Sequence, residues 1–114
     1  MTPSAEGMIR KYVAAWNEKE LDAYRAGFSA CWAEDGTYTD PNYALKGLDA
    51  LADLAYTSLE REPARIFHVV TLPDHHHNCG RYTWSIELPG VTKEGYDYFE
   101  FSDDYKITKL VSFF

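Results

Sequence analysis

The chain of 114 residues is long enough to close one hydrophobic core and too short for two, so we expect a single domain over residues 1–114. Its 11 Lys and Arg against 18 Asp and Glu give a net charge of −7 with no basic cluster, which argues against nucleic acid and anionic membranes as partners. No apolar run approaches the roughly 20 residues that span a bilayer, and no basic leader precedes one, so we expect a cytoplasmic protein.

The first half of the chain carries apolar residues at helical spacing in three segments. The spacing predicts a helix over 9–16, a second over 21–32, and a third that begins near Gly47 and ends before Pro63, which cannot continue a helix. Between the second and third helices, residues 36–41 predict a short strand that ends in a turn.

The second half of the chain begins with two predicted strands. Residues 66–72 form the first, and a Pro73-Asp74 turn follows it. Residues 81–88 alternate polar and apolar side chains, as a half-buried strand does.

The remaining residues complete an antiparallel meander. Pro89-Gly90 leads into a strand that ends at Ser102, and 107–114 forms the last strand. Three helices followed by a bent sheet define an α+β fold, and the curvature of the sheet leaves a pocket between the layers.

Asp97 is the most informative charged residue. Strand alternation puts Asp97 on the same face as Phe99 and Phe101, and Tyr96 and Tyr98 on the other. If the Asp97 face lines the pocket, desolvation raises the pKa of the carboxyl and favours a protonated form that donates a hydrogen bond. If the two tyrosines face inward instead, Asp97 is solvated. Periodicity alone leaves both arrangements open.

Asp40 and Tyr12 each have two interpretations. Asp40 ends the short strand, with Tyr38 on the same face and Pro41 after it, so it is either a turn former or a carboxylate at the pocket wall. Tyr12 lies at helical spacing with Trp16, which fits a core residue with a satisfied hydroxyl as well as a catalytic phenol.

The histidines do not predict a metal site. His75 to His77 would point to alternate faces of an extended segment and have no acidic or Cys partner at ligand spacing, so we expect a solvated turn. His68, within an apolar strand, is expected in the core or the pocket wall. Arg81, beside Glu87 and Thr83, is expected to be an ion-pair partner on the exposed face, and inside the cone it would instead be an anion anchor.

No phosphate-binding loop, nucleophile elbow, zinc-ligand helix or Cys-His pair is present in the sequence. Cys31 and Cys79 lie far apart and are expected to be two reduced thiols, with a disulfide between them as the alternative. A catalytic site in this chain would therefore use carboxyl and phenol groups, without a cofactor or a metal.

Four segments occur in a characteristic order: Arg10 to Asn17 (RKYVAAWN), Trp32 to Pro41 (WAEDGTYTDP), Gly47 to Leu51 (GLDAL) and Gly95 to Phe101 (GYDYFEF). Together they resemble the SnoaL-like and ketosteroid isomerase branch of the nuclear-transport-factor-2-like superfamily, over nearly the whole chain. The resemblance implies a cone-shaped, cystatin-like fold in which three helices pack on a strongly curved antiparallel sheet around a pocket, usually in a homodimer.

The resemblance also implies roles for individual residues. Tyr12 stands where the isomerases keep an oxyanion-hole phenol, Asp97 where they keep its protonated partner, and Asp40 where they keep the base. Tyr56 stands where they keep a supporting tyrosine. Ketosteroid isomerase is the known case of a carboxylic acid that stays neutral at pH 7. Trp32 replaces a tyrosine that steroid isomerases can have, which changes the hydroxyl network.

We expect the pocket to bind a small apolar or aromatic molecule. The side chains expected to contact it are Trp16, Trp32, Tyr56, His68, Trp84, Phe99 and Phe113. Two functions stay open: a cofactor-independent isomerase or polyketide-cyclase-like enzyme that transfers a proton next to a carbonyl, and a non-catalytic ligand-binding or dimerisation module of the same fold.

We also expect a homodimer through the outer face of the sheet. Tyr96, Tyr98 and Trp84 cannot all fit inside one small cone if Asp97 points into the pocket. Aromatic rings left in water would form an exposed apolar patch of the kind that marks an interface.

Overall fold

The computed structural model describes residues 3–114, so Met1 and Thr2 of the expected domain lie outside the described part. The elements, in chain order, are α1 (Ala5–Ala15), α2 (Leu21–Ser29), β1 (Trp32–Thr39), β2 (Ala44–Lys46), α3 (Leu48–Arg61), β3 (Ile66–Val69), β4 (Asp74–His76), β5 (Cys79–Leu88), β6 (Val91–Phe101) and β7 (Ile107–Phe113). The α+β fold class is confirmed, with the helices packed on one side of a curved sheet.

The first two helices differ from the prediction at their ends. Helix α1 begins before the predicted Ile9, because the Ser4 hydroxyl accepts a hydrogen bond from the Gly7 N–H at 3.0 Å and caps the helix. Helix α2 ends at Ser29, and Trp32 begins β1 instead of ending α2. A buried ring at Trp32 satisfies both the helical spacing from Phe28 and the alternation of β1, so spacing alone gave the wrong element.

The sheet is mixed, not purely antiparallel as expected. Its strand order is β2-β1-β7-β6-β5-β3, and β4 pairs with β5 beside this path. The strand pairs are antiparallel except β1 with β7, which is parallel. A parallel pair requires a long connection between its strands, and residues 40–106, more than half of the chain, lie between β1 and β7.

The turn expected at Pro73-Asp74 is displaced along the chain. Asp74 starts β4, and the chain reverses at His77 and Asn78, which both have positive φ (48° and 62°). Two consecutive residues of this kind form the tight turn that suits a two-residue hairpin. The consecutive histidines therefore lie in a hairpin, and all three are exposed.

A buried arginine that the sequence interpretation missed ties the helices to the sheet. Arg65 precedes β3 and is 1% exposed. Its guanidinium donates to the carbonyl oxygens of Trp16 (2.9 Å) and Ala55 (2.9 Å), and to the hydroxyl oxygens of Ser58 (3.0 Å) and Tyr24 (3.2 Å). These acceptors belong to the end of α1, to α2 and to α3. No carboxylate among residues 3–114 forms an ion pair with it.

Replacing Arg65 by Met should lower the free energy of unfolding by at least about 3 kcal/mol, because buried acceptors on all three helices lose their donor. Arg65→Lys, which keeps one charged donor group, should lose less. The measurement is urea unfolding at pH 7, with Arg81→Met as the control, since Arg81 is exposed and should cost under about 1 kcal/mol. A loss below about 1 kcal/mol for Arg65→Met would show that the buried guanidinium is not a structural tie.

Candidate active site

The concave face of the sheet and helices α1 and α3 enclose a cavity of about 250 Å³. Aromatic rings form much of its wall: Tyr12, Trp16, Tyr38, Phe67, Tyr82 and Trp84. Two carboxyl groups, those of Asp40 and Asp97, also line it. The cavity therefore combines an apolar wall with two titratable groups, which is the composition of a small-molecule site.

Asp97 lies on the cavity side of β6, as the first of the two predicted arrangements required. It is 4% exposed, whereas the neighbouring Tyr96 is 61% exposed on the opposite face. The Tyr82 hydroxyl donates to one carboxyl oxygen at 2.5 Å, and the Trp84 indole N–H donates to the other at 2.8 Å. Both partners come from β5, where Tyr82 stands directly opposite Asp97.

Burial raises the pKa of Asp97 to about 6, from an ordinary value of 3.8. Hydrogen bonds from Ser112, Tyr82 and Trp84 oppose this shift, and the nearby charge of Asp40 adds to it. Desolvation outweighs three donors because the carboxyl is almost completely removed from water. Asp97 can therefore gain or lose a proton close to neutral pH.

Trp84 reaches Asp97 because of a glycine on the next strand. Gly95 stands opposite Trp84, and a Cβ atom at position 95 would lie only 2.2 Å from the indole. The missing side chain lets the indole lie flat over β6 on the concave face. Trp84 is therefore part of the cavity wall and not a surplus ring on the outer face, which corrects the expectation on which the dimer argument partly relied.

Tyr12 supplies a phenol to the same cavity. It is 2% exposed and stacks on Trp32 with ring centroids 5.7 Å apart. Burial raises its pKa well above 10, and the negative charge of Asp97 raises it further, so the hydroxyl keeps its proton. A hydrogen bond with the Trp16 side chain opposes this shift, and because an indole N–H can only donate, the O–H of Tyr12 stays available to donate to a ligand in the cavity.

Asp40 is both a turn former and a wall residue. One carboxyl oxygen accepts from the Tyr38 hydroxyl at 2.6 Å, and the other accepts from the backbone N–H groups of Asn42 (2.7 Å) and Tyr43 (2.8 Å). It is half-buried and borders the open end of the cavity. The two interpretations left open for Asp40 are thus compatible in one geometry.

Two residues predicted to contact a ligand lie behind the cavity wall. Trp32 is covered by Tyr12 and packs against Gly36, where a Cβ atom would lie 2.6 Å from the indole nitrogen. Its buried N–H has no partner in the described part of the chain, so it does not join the hydroxyl network. Phe99 is completely buried beside Tyr82 and belongs to the core.

Three other predicted contacts point away from the cavity. Tyr56 is partly exposed on the outer side of α3. His68 is neither in the core nor in the wall, because alternation along β3 turns Phe67 inward and His68 outward, where it lies 3.1 Å from Glu87. Phe113 is 57% exposed on the outer face of the sheet. Of the predicted wall residues, Trp16 and Trp84 line the cavity.

Arg81 is an ion-pair partner on the exposed face, as expected, and does not line the cavity. It pairs with Asp74 at 3.5 Å across the β4–β5 hairpin, while Glu87 lies beside His68. Cys31 and Cys79 are free thiols. Residues 3–114 contain no group of three or more His, Cys, Asp or Glu side chains placed to hold a metal ion.

Tyr82 is the most important residue that the sequence interpretation missed. The Pro89-Gly90 turn fixes the register of the β5–β6 hairpin, so counting back from it places Tyr82 opposite Asp97. That signal was present in the sequence. Tyr38, Phe67 and Arg61 also line the cavity, and no comparable local signal marks Phe67 or Arg61.

A family model for the SnoaL-like domain matches residues 9–110. The chain therefore belongs to the SnoaL-like domain family, within the nuclear-transport-factor-2-like superfamily. A sequence search among curated proteins finds no match. No helix in residues 3–114 is both long and apolar enough to cross a membrane.

Solved structures agree with this assignment. A "putative isomerase of the SnoaL-like family" from Agrobacterium tumefaciens str. C58 is 28% identical, with a TM-score of 0.86 over 94% of this chain and 93% of that one. A "putative ketosteroid isomerase" from Kribbella flavida DSM 17836 is 16% identical, with a TM-score of 0.73 over 96% of this chain and 76% of that one. A "putative hydroxylase" from Streptomyces galilaeus is also 16% identical, with a TM-score of 0.68 over 95% and 86%. The last two similarities show the fold alone.

The pKa of Asp97 predicts a pH dependence of stability. Its folded-state pKa lies above its unfolded value, so the folded protein binds this proton more tightly than the unfolded chain does. The resulting stabilisation is complete below about pH 4 and is lost as the pH rises through about 6, by about 3 kcal/mol in total. Asp97→Asn cannot titrate, so its stability relative to the wild type should rise by most of this amount between pH 4 and pH 7.

Urea unfolding at intervals between these pH values measures the difference. The exposed Asp53→Asn is the matched control, because it removes the same charged group from the protein surface. A constant difference for Asp97→Asn would mean that Asp97 titrates as a solvated carboxyl.

Proposed function

We propose that the protein is a cofactor-independent enzyme that transfers a proton next to a carbonyl group, as an isomerase or a polyketide-cyclase-like enzyme does. The observation that carries the proposal is the presence of two carboxyls in unlike environments and a protonated phenol on one cavity wall. A carboxylate that can accept a proton and groups that can donate hydrogen bonds to a developing enolate, placed beside one ligand, are the requirement for this acid–base catalysis.

In this proposal Asp40 removes a proton from the carbon next to the carbonyl. Tyr12 and the protonated form of Asp97 donate hydrogen bonds to the oxygen of the resulting enolate. A pKa of about 6 makes protonation of Asp97 inexpensive at neutral pH, at about 1.4 kcal/mol per pH unit above that value. A neutral carboxyl still accepts from Tyr82 and Trp84 while its own O–H donates.

The size of the cavity limits the substrate. At about 250 Å³ it is below the roughly 300 to 1,000 Å³ of sites for drug-sized ligands and above the roughly 150 Å³ that holds benzene. A carbonyl compound with one or two rings fits this range better than a steroid does.

A second function, non-catalytic ligand binding, has one observation in its favour. The Asp40 carboxylate already accepts three hydrogen bonds, which occupy most of its lone pairs and leave little room for a substrate proton. In that case the same aromatic wall would hold a ligand without turnover.

Deuterium exchange distinguishes the two functions. Asp40→Asn should reduce protein-catalysed exchange of the α-hydrogens of 2-tetralone at least about 100-fold, because the base is lost. Its affinity for phenol should change little, since a bound phenolate needs only Tyr12 and Asp97. Asp97→Asn should weaken both properties by roughly 1 to 3 kcal/mol, the size of one hydrogen bond.

NMR measures both exchange and phenol binding, and the exposed Asp53→Asn serves as the matched control. If Asp97→Asn abolishes exchange and Asp40→Asn does not, the roles of the two carboxyls are reversed. If the wild type shows no catalysed exchange, the ligand-binding function replaces the enzymatic one.

We also propose that the protein is a cytoplasmic homodimer. Two free thiols suit a reducing compartment. The outer sheet face carries Tyr96 and Phe113 as neighbours on adjacent strands, with Tyr98 opposite Val111 beside them. Glu100 and Lys109 stand next to this patch, so a two-fold pairing can bring opposite charges together.

Sedimentation at micromolar concentration should show a dimer. Replacing Tyr96 and Phe113 together by Ser should shift it to a monomer, because the exposed rings supply the apolar contact. Val91→Ser, which removes an exposed apolar side chain at the start of β6, is the control. A wild-type monomer would contradict the proposal.

A further inference from the structure

We infer that the ligand carries a carboxylate, which Arg61 binds at the open end of the cavity. The inference rests on the proposed function in one respect, that the carbonyl end of the ligand lies deep beside Tyr12. Arg61 is the last residue of α3 and lines the cavity together with Ser58, one turn earlier. No other Lys or Arg of residues 3–114 lines it.

The bonding of Arg61 differs from that of the other arginines. The remaining exposed arginines pair with carboxylates: Arg10 with Glu6, Arg25 with Asp22 and Asp49, and Arg81 with Asp74. Arg61 has no carboxylate within 4.0 Å in the described part of the chain, although acidic residues outnumber basic ones. Its hydrogen-bond partner there is the Tyr43 hydroxyl, at 3.5 Å.

The loop that faces Arg61 is held in place by the candidate base. Asp40 accepts the backbone N–H groups of Asn42 and Tyr43, which fixes the position of Tyr43 across the opening from α3. Tyr43 also lines the cavity. A guanidinium and a phenol hydroxyl at one opening provide donors that match the two oxygens of a carboxylate.

The charges of the cavity then orient the ligand. The inner end, where the aromatic wall and the buried Asp97 carboxyl lie, disfavours an anionic group, and Arg61 attracts it to the opening. Asp40 also borders the opening, where the Tyr38 hydroxyl and two backbone N–H groups already donate to its carboxylate. A single guanidinium balances one negative charge, which favours a carboxylate over a doubly charged phosphate. The substrate class is therefore a small keto acid or aromatic acid whose carbonyl is separated from its carboxylate.

Four ligands separate this inference from the proposed function: 3-phenylpropanoate, 3-phenylpropanamide and the 4-hydroxy derivative of each. The acid and amide differ only in the group assigned to Arg61, and the 4-hydroxy group tests the donors at the inner end. In the wild type each acid should bind about 5- to 10-fold more tightly than its amide at low salt, and this preference should shrink as salt is added. Calorimetry or NMR titration measures the four dissociation constants.

Arg61→Gln should abolish the preference for the acids and leave the affinity for the amides unchanged within about twofold, while Arg61→Lys should keep part of it. Arg81→Gln is the matched control, because it changes the net charge equally on a surface away from the cavity. Both arginines are exposed, so neither change should prevent folding.

The outcomes are separable. If the 4-hydroxy group adds no affinity but acids still exceed amides through Arg61, the inference stands and the enolate site of the proposed function fails. If the acids bind no better than the amides, or if Arg81→Gln removes the preference as fully as Arg61→Gln does, the inference is wrong even where the 4-hydroxy group binds as proposed.

Discussion

Burial of the Arg65 guanidinium among neutral acceptors constrains the rest of the structure. A cation removed from water is tolerated only if nearly all its N–H groups are hydrogen-bonded, and here the acceptors come from three helices. Its guanidinium carbon also lies 5.0 Å from the centre of the Phe67 ring. Trp16, Ser58 and Phe67, which contact Arg65, all line the cavity. The same interaction that fixes the helices therefore fixes one side of the site.

The two carboxyls owe their difference to the backbone that carries them. Asp97 stands in the middle of a long strand between two others, so its surroundings are side chains and its main penalty is desolvation. Asp40 follows the end of β1, where free backbone N–H groups of the turn satisfy its charge. A strand interior and a strand end thus give one residue type two different environments within the same cavity.

Local patterns were sufficient for most of the elements and for part of the site. The third helix, its end before Pro63, and the β5–β6 hairpin followed from spacing and turn residues, and the hairpin register also implies the contact between Tyr82 and Asp97. The pairing of Asp97 with Ser112 could not be counted in the same way, because a register shift follows Glu100. Arg65 could not be found at all: its acceptors are mainly backbone carbonyls and hydroxyls distant in sequence, and no spacing rule marks them. Trp84 was expected both in the pocket wall and on the outer face of the sheet, and Gly95 on the next strand leaves the space that lets it lie in the wall.

The end of β7 connects the outer face of the sheet with the cavity. Phe113 is exposed on the outer face beside Tyr96. Phe114, the next residue, lines the opening of the cavity, and the centres of its ring and the Trp84 ring are 5.8 Å apart. Consecutive residues of an extended chain point in opposite directions, so one short segment serves both surfaces. A partner that covers Phe113 would restrain the backbone that carries Phe114. Phe114 packs against Trp84, and Trp84 donates a hydrogen bond to Asp97. The side chains of Phe114 and Trp84 therefore connect the end of β7 with the Asp97 carboxyl.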